Sequence, residues 1–522
     1  MSYSDRPLSE MVVSKLLVAQ AERSPDAPFL RFGDEVVTFG EMHANAQRQA
    51  AALEAAGVGR GDLVAIMMAN SIDYVSLYFG LAYRGAAVVL VNTAFRGYML
   101  EYVLNDAGCA LLIADSDLLA TIAEAEGKLT GVQRILVRGD LASARFERIE
   151  TSSLDEAVAS AGVSKPDPEV SYADLHCVVY SSGTTGPSKG IMISHGHAVA
   201  KAFEVLEICQ FTKDDVLYSP LPLFYSMGLL RGVLSVTLVG ATIVLREKFS
   251  VSAFWDEVRS SGATVGHCVF AIPRMLQNHP ADPRDREHAL RCMFNARHDP
   301  EFEERFNVRL IESYGLTEAG NSMFSRVAEP SVPGSCGRAS DEWDVRLATP
   351  DGEEVPIGEP GEILIRPREP QRVMIGYLNK PEATRIATRD LWLHTGDIAA
   401  RDEAGYYFYK GRLKDMIRRR GQNISAWEVE QIILEHPAVG DVAAVAYPSD
   451  VGEDDLRVVV SPAEDATVVL TEIVAHCVAR MPAFMVPRYF EYRDELPRTP
   501  SGRVEKYRLI EQPLSESTID RG

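Results

Sequence analysis

The chain has 522 residues, more than one hydrophobic core usually supports, so at least two domains are expected. Hydrophobic residues at 46% and charged residues at 24% are ordinary for a soluble globular protein. The balance of 53 Lys+Arg against 74 Asp+Glu, a net −21, argues against nucleic acid or an anionic membrane as a default partner. Seven cysteines, Cys109, Cys177, Cys209, Cys268, Cys292, Cys336 and Cys477, are scattered without a CxxC pair or metal-ligand spacing, which fits a reducing compartment. The N-terminal MSYSDRPLSEM has no basic-then-apolar signal, and the longest uncharged apolar stretch, residues 232–245, is shorter than the ~18 to 20 residues of a membrane span. A cytoplasmic protein with no membrane span is the expectation.

In chain order, Met42, Ala46, Ala50 and Leu53 share one helical face that ends at Gly57, and a strand follows over 63–68. A second unit runs from Ile72 through a helix to Gly85 and into a strand over 86–91, so the first four hundred residues read as α/β layering. Cys177, Val178 and Val179 read as the end of a buried strand. Residues 180–190, YSSGTTGPSKG, then place small hydroxyls, three glycines and one lysine in a turn-rich loop. Backbone N–H groups freed by glycine, hydroxyls from Ser181, Ser182, Thr184 and Thr185, and the charge of Lys189 make a phosphate cradle. A flexible Gly/Ser linker is the plain alternative, but linkers of that kind rarely sit between two apolar runs, here 177–179 and 191–193. The spacing is not that of a Walker A loop: Pro187 and Ser188 separate Gly186 from Lys189, no hydroxyl follows the lysine, and a β-branched run replaces the helix.

Further along, Pro350-Asp351-Gly352 marks a turn within a β-rich part. The domain boundary is expected at 412–415, after which Ser425 with Glu428 reads as a capping box, Val429, Ile432 and Ile433 share a helical face, and Pro437 ends it. The domains expected are therefore 1–411, a hinge at 412–415, and 416–522.

The loop at 180–190 resembles the signature loop of the adenylate-forming superfamily of acyl-CoA synthetases, peptide-synthetase adenylation domains and luciferases. The superfamily's other motifs follow in order: Tyr314-Gly315-Leu316-Thr317-Glu318 is similar to YGxTE, Gly376-Tyr377-Leu378 to GYL, Leu393-His394-Thr395-Gly396-Asp397 to TGD, and Gly411-Arg412-Leu413-Lys414-Asp415 to GRxKD. Gly57-Val58, Gly61-Asp62 and Arg84-Gly85-Ala86 fit the N-terminal third, so the resemblance covers essentially the whole chain. It implies an α/β fold, with a large AMP-binding domain of layered α/β subdomains and a β-rich part, and a small mobile α+β domain.

The activity implied joins a carboxylic acid to CoA through an acyl adenylate, with release of pyrophosphate and AMP. Ser181, Ser182, Gly183, Thr184, Thr185, Gly186 and Lys189 would hold the β and γ phosphates of ATP. Thr317 would bond the α-phosphate, and Glu318 would bind Mg²⁺, a hard ion that prefers carboxylate oxygen. Tyr314 would stack near adenine, with a core aromatic as the alternative, and Asp397 and Arg412 would meet the ribose, with a surface ion pair as the alternative. Lys414 would lie at the hinge, and Gly421 would let pantetheine pass because it has no side chain. Arg418, Arg419 and Arg420 either greet CoA phosphates or are a solvated charge run.

Three departures stand out. Tyr225 replaces the histidine of the usual PLFH element; residues 294–300, FNARHDP, replace a GGAP-like stretch and look most like the crotonobetaine/carnitine-CoA ligase branch; and the C-terminal PxxxxGK reads Pro497 to Gly502 followed by Arg503. In the superfamily the lysine at that last position bridges carboxylate and α-phosphate during adenylation. Arginine keeps the charge, but its planar fork is a poor stand-in for a compact ammonium. Lys506 is either a displaced replacement or a surface lysine. The expectation is an acyl-CoA ligase whose adenylation step is impaired and whose partners are a carboxylic acid or its adenylate, CoA, and a separate adenylating enzyme, with a homodimer left open. An enzyme that loads a carrier protein, and a non-catalytic adenylate-binding protein, are the alternatives. Tyr225, Met227, Phe270, Asn295 and Ala296 are the expected acyl pocket, suited to a bulky, largely hydrophobic acid with a polar handle.

Overall fold

The computed structural model of the chain describes residues 6–181, 188–268, 271–413, 416–419, 422–448, 454–464, 466–481, 485–499 and 502–522. They form two compact units, one from the described residues of 1–181, 188–344 and 366–386, the other from those of 345–365 and 387–522. The second unit thus begins well before the expected boundary at 412–415 and takes in strands on both sides of it.

In the first unit, an eight-stranded sheet takes the order Gly376–Tyr377, Lys189–Ser194, Leu175–Ser181, Ala87–Leu90, Leu63–Met67, Leu111–Asp115, Arg134–Arg138 and Glu150–Ser153. Its middle strands, Ala87–Leu90, Leu63–Met67 and Leu111–Asp115, are parallel and almost wholly apolar, as strands covered on both faces must be, and parallel pairing continues through Arg134–Arg138 to the polar edge strand Glu150–Ser153. The helix Phe39–Ala55 begins as the sequence pattern requires. Thr38 Oγ1 accepts the Glu41 N–H and Glu41 Oε2 accepts the Thr38 N–H, and Met42, Ala46, Ala50 and Leu53 are all fully buried. The helix Ile72–Arg84 ends at Gly85, whose φ of +65° is a left-handed cap that favours glycine.

A seven-stranded sheet of the same unit runs Arg309–Ile311, Cys292–Phe294, Val265–His267, Val216–Ser219, Thr242–Leu245, Pro28–Phe32 and Glu35–Thr38, parallel except at its last pair. Between the two sheets in sequence, helix His195–Cys209 is buried along nearly its whole length.

The second unit contains residues 361–365 of the strand Gly361–Pro367, which pair antiparallel with Leu393–Arg401; that strand in turn pairs with Tyr407–Arg412. Beyond them come a hairpin of Met416–Arg419 and Gln422–Ser425, helix Ala426–Leu434, and a sheet ordered Val439–Pro448, Asp454–Pro462, Tyr489–Tyr492 and Ile519–Asp520. Val429 and Ile433 lie in this unit's core and Ile432 packs beside it, as the shared face requires. The Ser425 side chain lies outside the described set; Glu428, its expected capping partner, pairs with Lys410 at 3.2 Å.

Candidate active site

The strands on either side of the expected phosphate cradle pair antiparallel. Leu175–Ser181 and Lys189–Ser194 pair with Tyr180 opposite Gly190 and Ser181 opposite Lys189. Ser182, Gly183, Thr184, Thr185 and Gly186 lie outside the described residues, as do Phe270, Lys414 and Gly421. The base of the hairpin is tied down on both strands: Tyr180 donates its hydroxyl to Asp106 Oδ2 at 2.8 Å, Tyr102 donates to the Ser188 carbonyl at 2.9 Å, and the Leu378 N–H donates to Gly190 O at 2.8 Å.

From there a row of contacts joins three of the motifs. The Lys189 ammonium lies 4.6 Å from the centre of the Tyr377 ring, a cation–π contact, and the Tyr377 hydroxyl donates to Glu318 Oε1 at 3.0 Å. Burial, with the nearby Glu318 charge, pushes the Tyr377 phenol well above its usual range, so it remains a donor to that carboxylate. The Glu318 carbonyl also accepts the Met374 N–H at 2.7 Å, and the Leu316 N–H donates to Gly320 O at 3.2 Å, closing the Thr317–Glu318 turn on itself.

Beneath this turn lies helix His195–Cys209. The Lys201 ammonium donates to the carbonyls of Leu316, at 3.3 Å, and of Ala319, and His197 Nε2 also meets Ala319 O. Glu204, one turn on, pairs with Arg231 at 2.9 Å. Gly320 crosses so close that a Cβ there would sit 1.7 Å from Glu204 Oε1. Lys201, Glu204, Arg231 and the Tyr377 hydroxyl were not found by motif reading. The available signal was Lys201, Glu204 and Glu207, three charges at i, i+3 and i+6 within the otherwise apolar residues 198–208.

The expected acyl residues follow from the seven-stranded sheet. After the carboxyl ends of the parallel strands Val216–Ser219, Cys292–Phe294 and Arg309–Ile311 the chain reaches Tyr225 and Met227, then Asn295 and Ala296, then Tyr314. Open α/β sheets bind ligands outside the carboxyl ends of their strands. Tyr225 accepts a hydrogen bond on its hydroxyl from Asn92 Nδ2 at 3.2 Å and leaves 37% of its surface exposed, whereas Tyr314 and Ala296 are buried. Met227 packs against the core beside this sheet. Asn295 has φ +65° and donates to the Cys268 carbonyl at 3.3 Å, so its amide is held by backbone strain and a bond together.

In the second unit, Asp397 lies opposite Arg412 across the Leu393–Arg401 and Tyr407–Arg412 pair. Arg412 Nε donates to Asp397 Oδ1 at 3.1 Å and the Tyr409 hydroxyl lies 3.4 Å from the same oxygen. Asp397 is only 3% exposed, so this is not a surface ion pair. The turn before it is fixed by Glu362, a residue motif reading passed over: its Oε1 accepts the Gly396 N–H at 3.0 Å and its Oε2 meets His394 Nδ1 at 3.1 Å. Arg503 is exposed, on a turn where Thr499 N–H donates to Arg503 O at 2.8 Å and Arg503 N–H to Thr499 Oγ1 at 3.2 Å. Lys506 is not a plain surface lysine: it pairs with Glu430 Oε1 at 2.7 Å, and that oxygen also accepts the Ala444 N–H. Arg419 is 6% exposed and donates to Asp455 at 2.9 Å and to the Val486 carbonyl at 2.8 Å, so it is not part of a solvated charge run.

Family models match most of the chain, the AMP-binding enzyme over residues 17–378 and the AMP-binding enzyme C-terminal domain over 428–503. Among curated proteins, crotonobetaine/carnitine–CoA ligase of Salmonella paratyphi A is 30% identical over 484 residues, covering 90% of this chain and 92% of the relative. Feruloyl-CoA synthase of an Amycolatopsis species is 32% identical over 499 residues, covering 94% and 96%. Among solved structures, an anthranilate CoA ligase in complex with anthranoyl-AMP superposes with a TM-score of 0.83 at 25% identity, covering 98% of each chain.

Proposed function

The chain belongs to the AMP-binding enzyme family and is an acid–thiol ligase that makes an acyl-CoA through an acyl adenylate, and from that premise we propose which of its residues serve each half-reaction and how well the first one runs. A carboxylate is a poor electrophile, so adenylation must neutralise phosphate charge while an oxygen nucleophile attacks the α-phosphorus and pyrophosphate leaves. Thioester formation must then admit the thiol of CoA and exclude water. Lys189 and the hairpin around it hold the β and γ phosphates, Thr317 donates to the α-phosphate, Tyr314 lies against adenine, and Asp397 accepts from the ribose hydroxyls with Arg412 beside it.

The single observation that carries this assignment is the row Lys189–Tyr377–Glu318, which sets a cation, a phenol and a carboxylate side by side at the end of the signature hairpin. Mg²⁺ fits there: it typically takes one or two protein carboxylates and completes its shell with phosphate oxygens and water, and Glu318 offers one carboxylate anchored by Tyr377. When bound, the ion spreads the charge that develops on the phosphates.

The acid is a bulky, largely apolar one with a polar group, because Tyr225 and Met227 offer an aromatic and a thioether while the Asn92–Tyr225 bond and Asn295 offer polar contacts. Incubating the enzyme with ATP, Mg²⁺, CoA and a panel of acids should yield AMP and an acyl-CoA, best with bulky acids. Transfer to a carrier protein in preference to CoA would make this a carrier-loading enzyme, and no product even from supplied acyl adenylate would leave only a binding protein.

Adenylation is the slow half. Arg503 stands where the superfamily has its bridging lysine, and Lys506, the nearest ammonium in sequence, is already paired with Glu430. Loss of one preorganised electrostatic partner costs on the order of 10² to 10³ in rate. The enzyme therefore thioesterifies a supplied acyl adenylate faster than it makes one, and another adenylating enzyme feeds it.

A further inference from the structure

Lys201 is 0% exposed, in the middle of a helix buried on all sides. An ammonium taken out of water is expensive for a fold, and a methionine of similar length would fill the same space without that cost. Yet the two groups to which Lys201 donates are the carbonyls of Leu316 and Ala319, which bracket Thr317 and Glu318. From the other side the same turn is held by the Met374 N–H on the Glu318 carbonyl and by the Tyr377 hydroxyl on its carboxylate. The charged and titratable groups around the ammonium are His197 and Glu204 on its own helix, Arg231 from the segment Leu229–Val233, Cys177 from the strand Leu175–Ser181, and Glu318 itself.

We propose that Lys201 is a positioning residue for adenylation: its ammonium grips the carbonyls on either side of Thr317 and Glu318 and so fixes how these two side chains meet magnesium-bound ATP. The proposal rests on the assignment of Thr317 and Glu318 to phosphate and metal. Three N–H groups on one freely rotating centre suit this task, since they reach two carbonyls of different direction at once. Burial, followed by the Arg231 charge, lowers the Lys201 ammonium to about 7, against the pull of Glu204 and Glu318. The side chain is thus charged below that pH and loses its proton as pH rises through it, and a neutral amine has a lone pair where the ammonium had a third donor. The grip, and with it the affinity for magnesium-bound ATP, weakens above neutrality.

The test is calorimetric binding of ATP, with Mg²⁺ in excess, at pH about 6 and about 8.5, for the wild type, Lys201→Met and Glu318→Gln, with melting temperatures alongside. We expect wild-type affinity to fall several-fold from the lower to the higher pH. Lys201→Met should bind about tenfold more weakly at the lower pH, without that pH dependence, while its melting temperature changes little. Wild-type affinity that is flat with pH, or Lys201→Met binding like the wild type at the lower pH, overturns the proposal. If Lys201→Met does not fold, the wild-type pH dependence decides alone. Glu318→Gln separates the two layers: unchanged binding there removes the metal assignment and this proposal with it, whereas weakened binding there with normal binding in Lys201→Met removes only the role of Lys201.

Discussion

Asp397 and Glu318 are both held by neighbours that remain solvated or neutral when they are removed, and this decides what their loss does. Arg412 keeps 33% of its side chain exposed, so Asp397→Ala leaves a cation that water can reach, not a buried orphan charge. Tyr377 loses an acceptor in Glu318→Ala, at a cost of about 1 to 3 kcal/mol. Both variants should fold, with melting temperatures lowered by a few degrees, and both should bind nucleotide at least about tenfold more weakly, since hydrogen bonds to charged groups contribute about 1.5 to 3 kcal/mol each. AMP affinity by calorimetry checks Asp397→Ala and magnesium–ATP affinity checks Glu318→Ala; wild-type values in both would remove the nucleotide assignment. These two carboxylates were legible because each sits in a short motif whose neighbours are proposed to act with it. Lys201 and Glu362 were not, because each acts on a turn distant in sequence: Lys201 on 316–319 and Glu362 on 394–396. A residue of that kind leaves a local trace only as a charge out of place, and Glu362, beside apolar Ile363 and Leu364 in a strand, leaves hardly that.

The turn between the strands Ser313–Gly315 and Asn321–Phe324 is where element and chemistry meet. Its pairing shifts register between Tyr314 and Gly315, and Gly320 lets Glu204 come up against the backbone from below. Gly320→Ala places a Cβ 1.7 Å from Glu204 Oε1 and 2.8 Å from its Cδ, so either the Glu204–Arg231 pair or the turn must move. Overpacking of this kind costs about 1 to 3 kcal/mol. Thermal unfolding should show a lower melting temperature for Gly320→Ala, together with weakened magnesium–ATP binding; full stability would mean that Glu204 swings aside freely. The elements themselves were largely readable. The helix 39–55 and the strands 63–67 and 87–90 follow from period and caps, and the strand after the signature loop separates it from a Walker loop as expected. What period and caps do not contain is pairing: that 189–194 returns antiparallel onto 175–181 and also carries residues 376–377 is set by contacts across nearly two hundred residues.

At the scale of the whole chain, the compact units divide differently from the motif boundary because strand pairing, not motif position, decides compactness: residues 361–365 pair with 393–399, and those with 407–412. The chemistry divides differently again, by half-reaction. Arg503 is expected to serve only the attack of carboxylate on ATP, so its effect should be confined to that step. Acid-dependent pyrophosphate exchange measures the first half, and CoA thioester formation from chemically made acyl adenylate measures the second. The wild type should show slow exchange and fast thioester formation. Arg503→Lys should raise exchange by on the order of 10² and leave thioester formation unchanged. Lys506→Ala breaks the pair with Glu430, whose oxygen keeps the Ala444 N–H, so a loss of stability of about 1 kcal/mol and no change in exchange are expected. Fast exchange in the wild type would sink the split between half-reactions. If that fast exchange collapsed in Lys506→Ala, the lysine three residues on would be the displaced catalytic one, leaving Glu430 during adenylation, and the enzyme would be an ordinary two-step ligase.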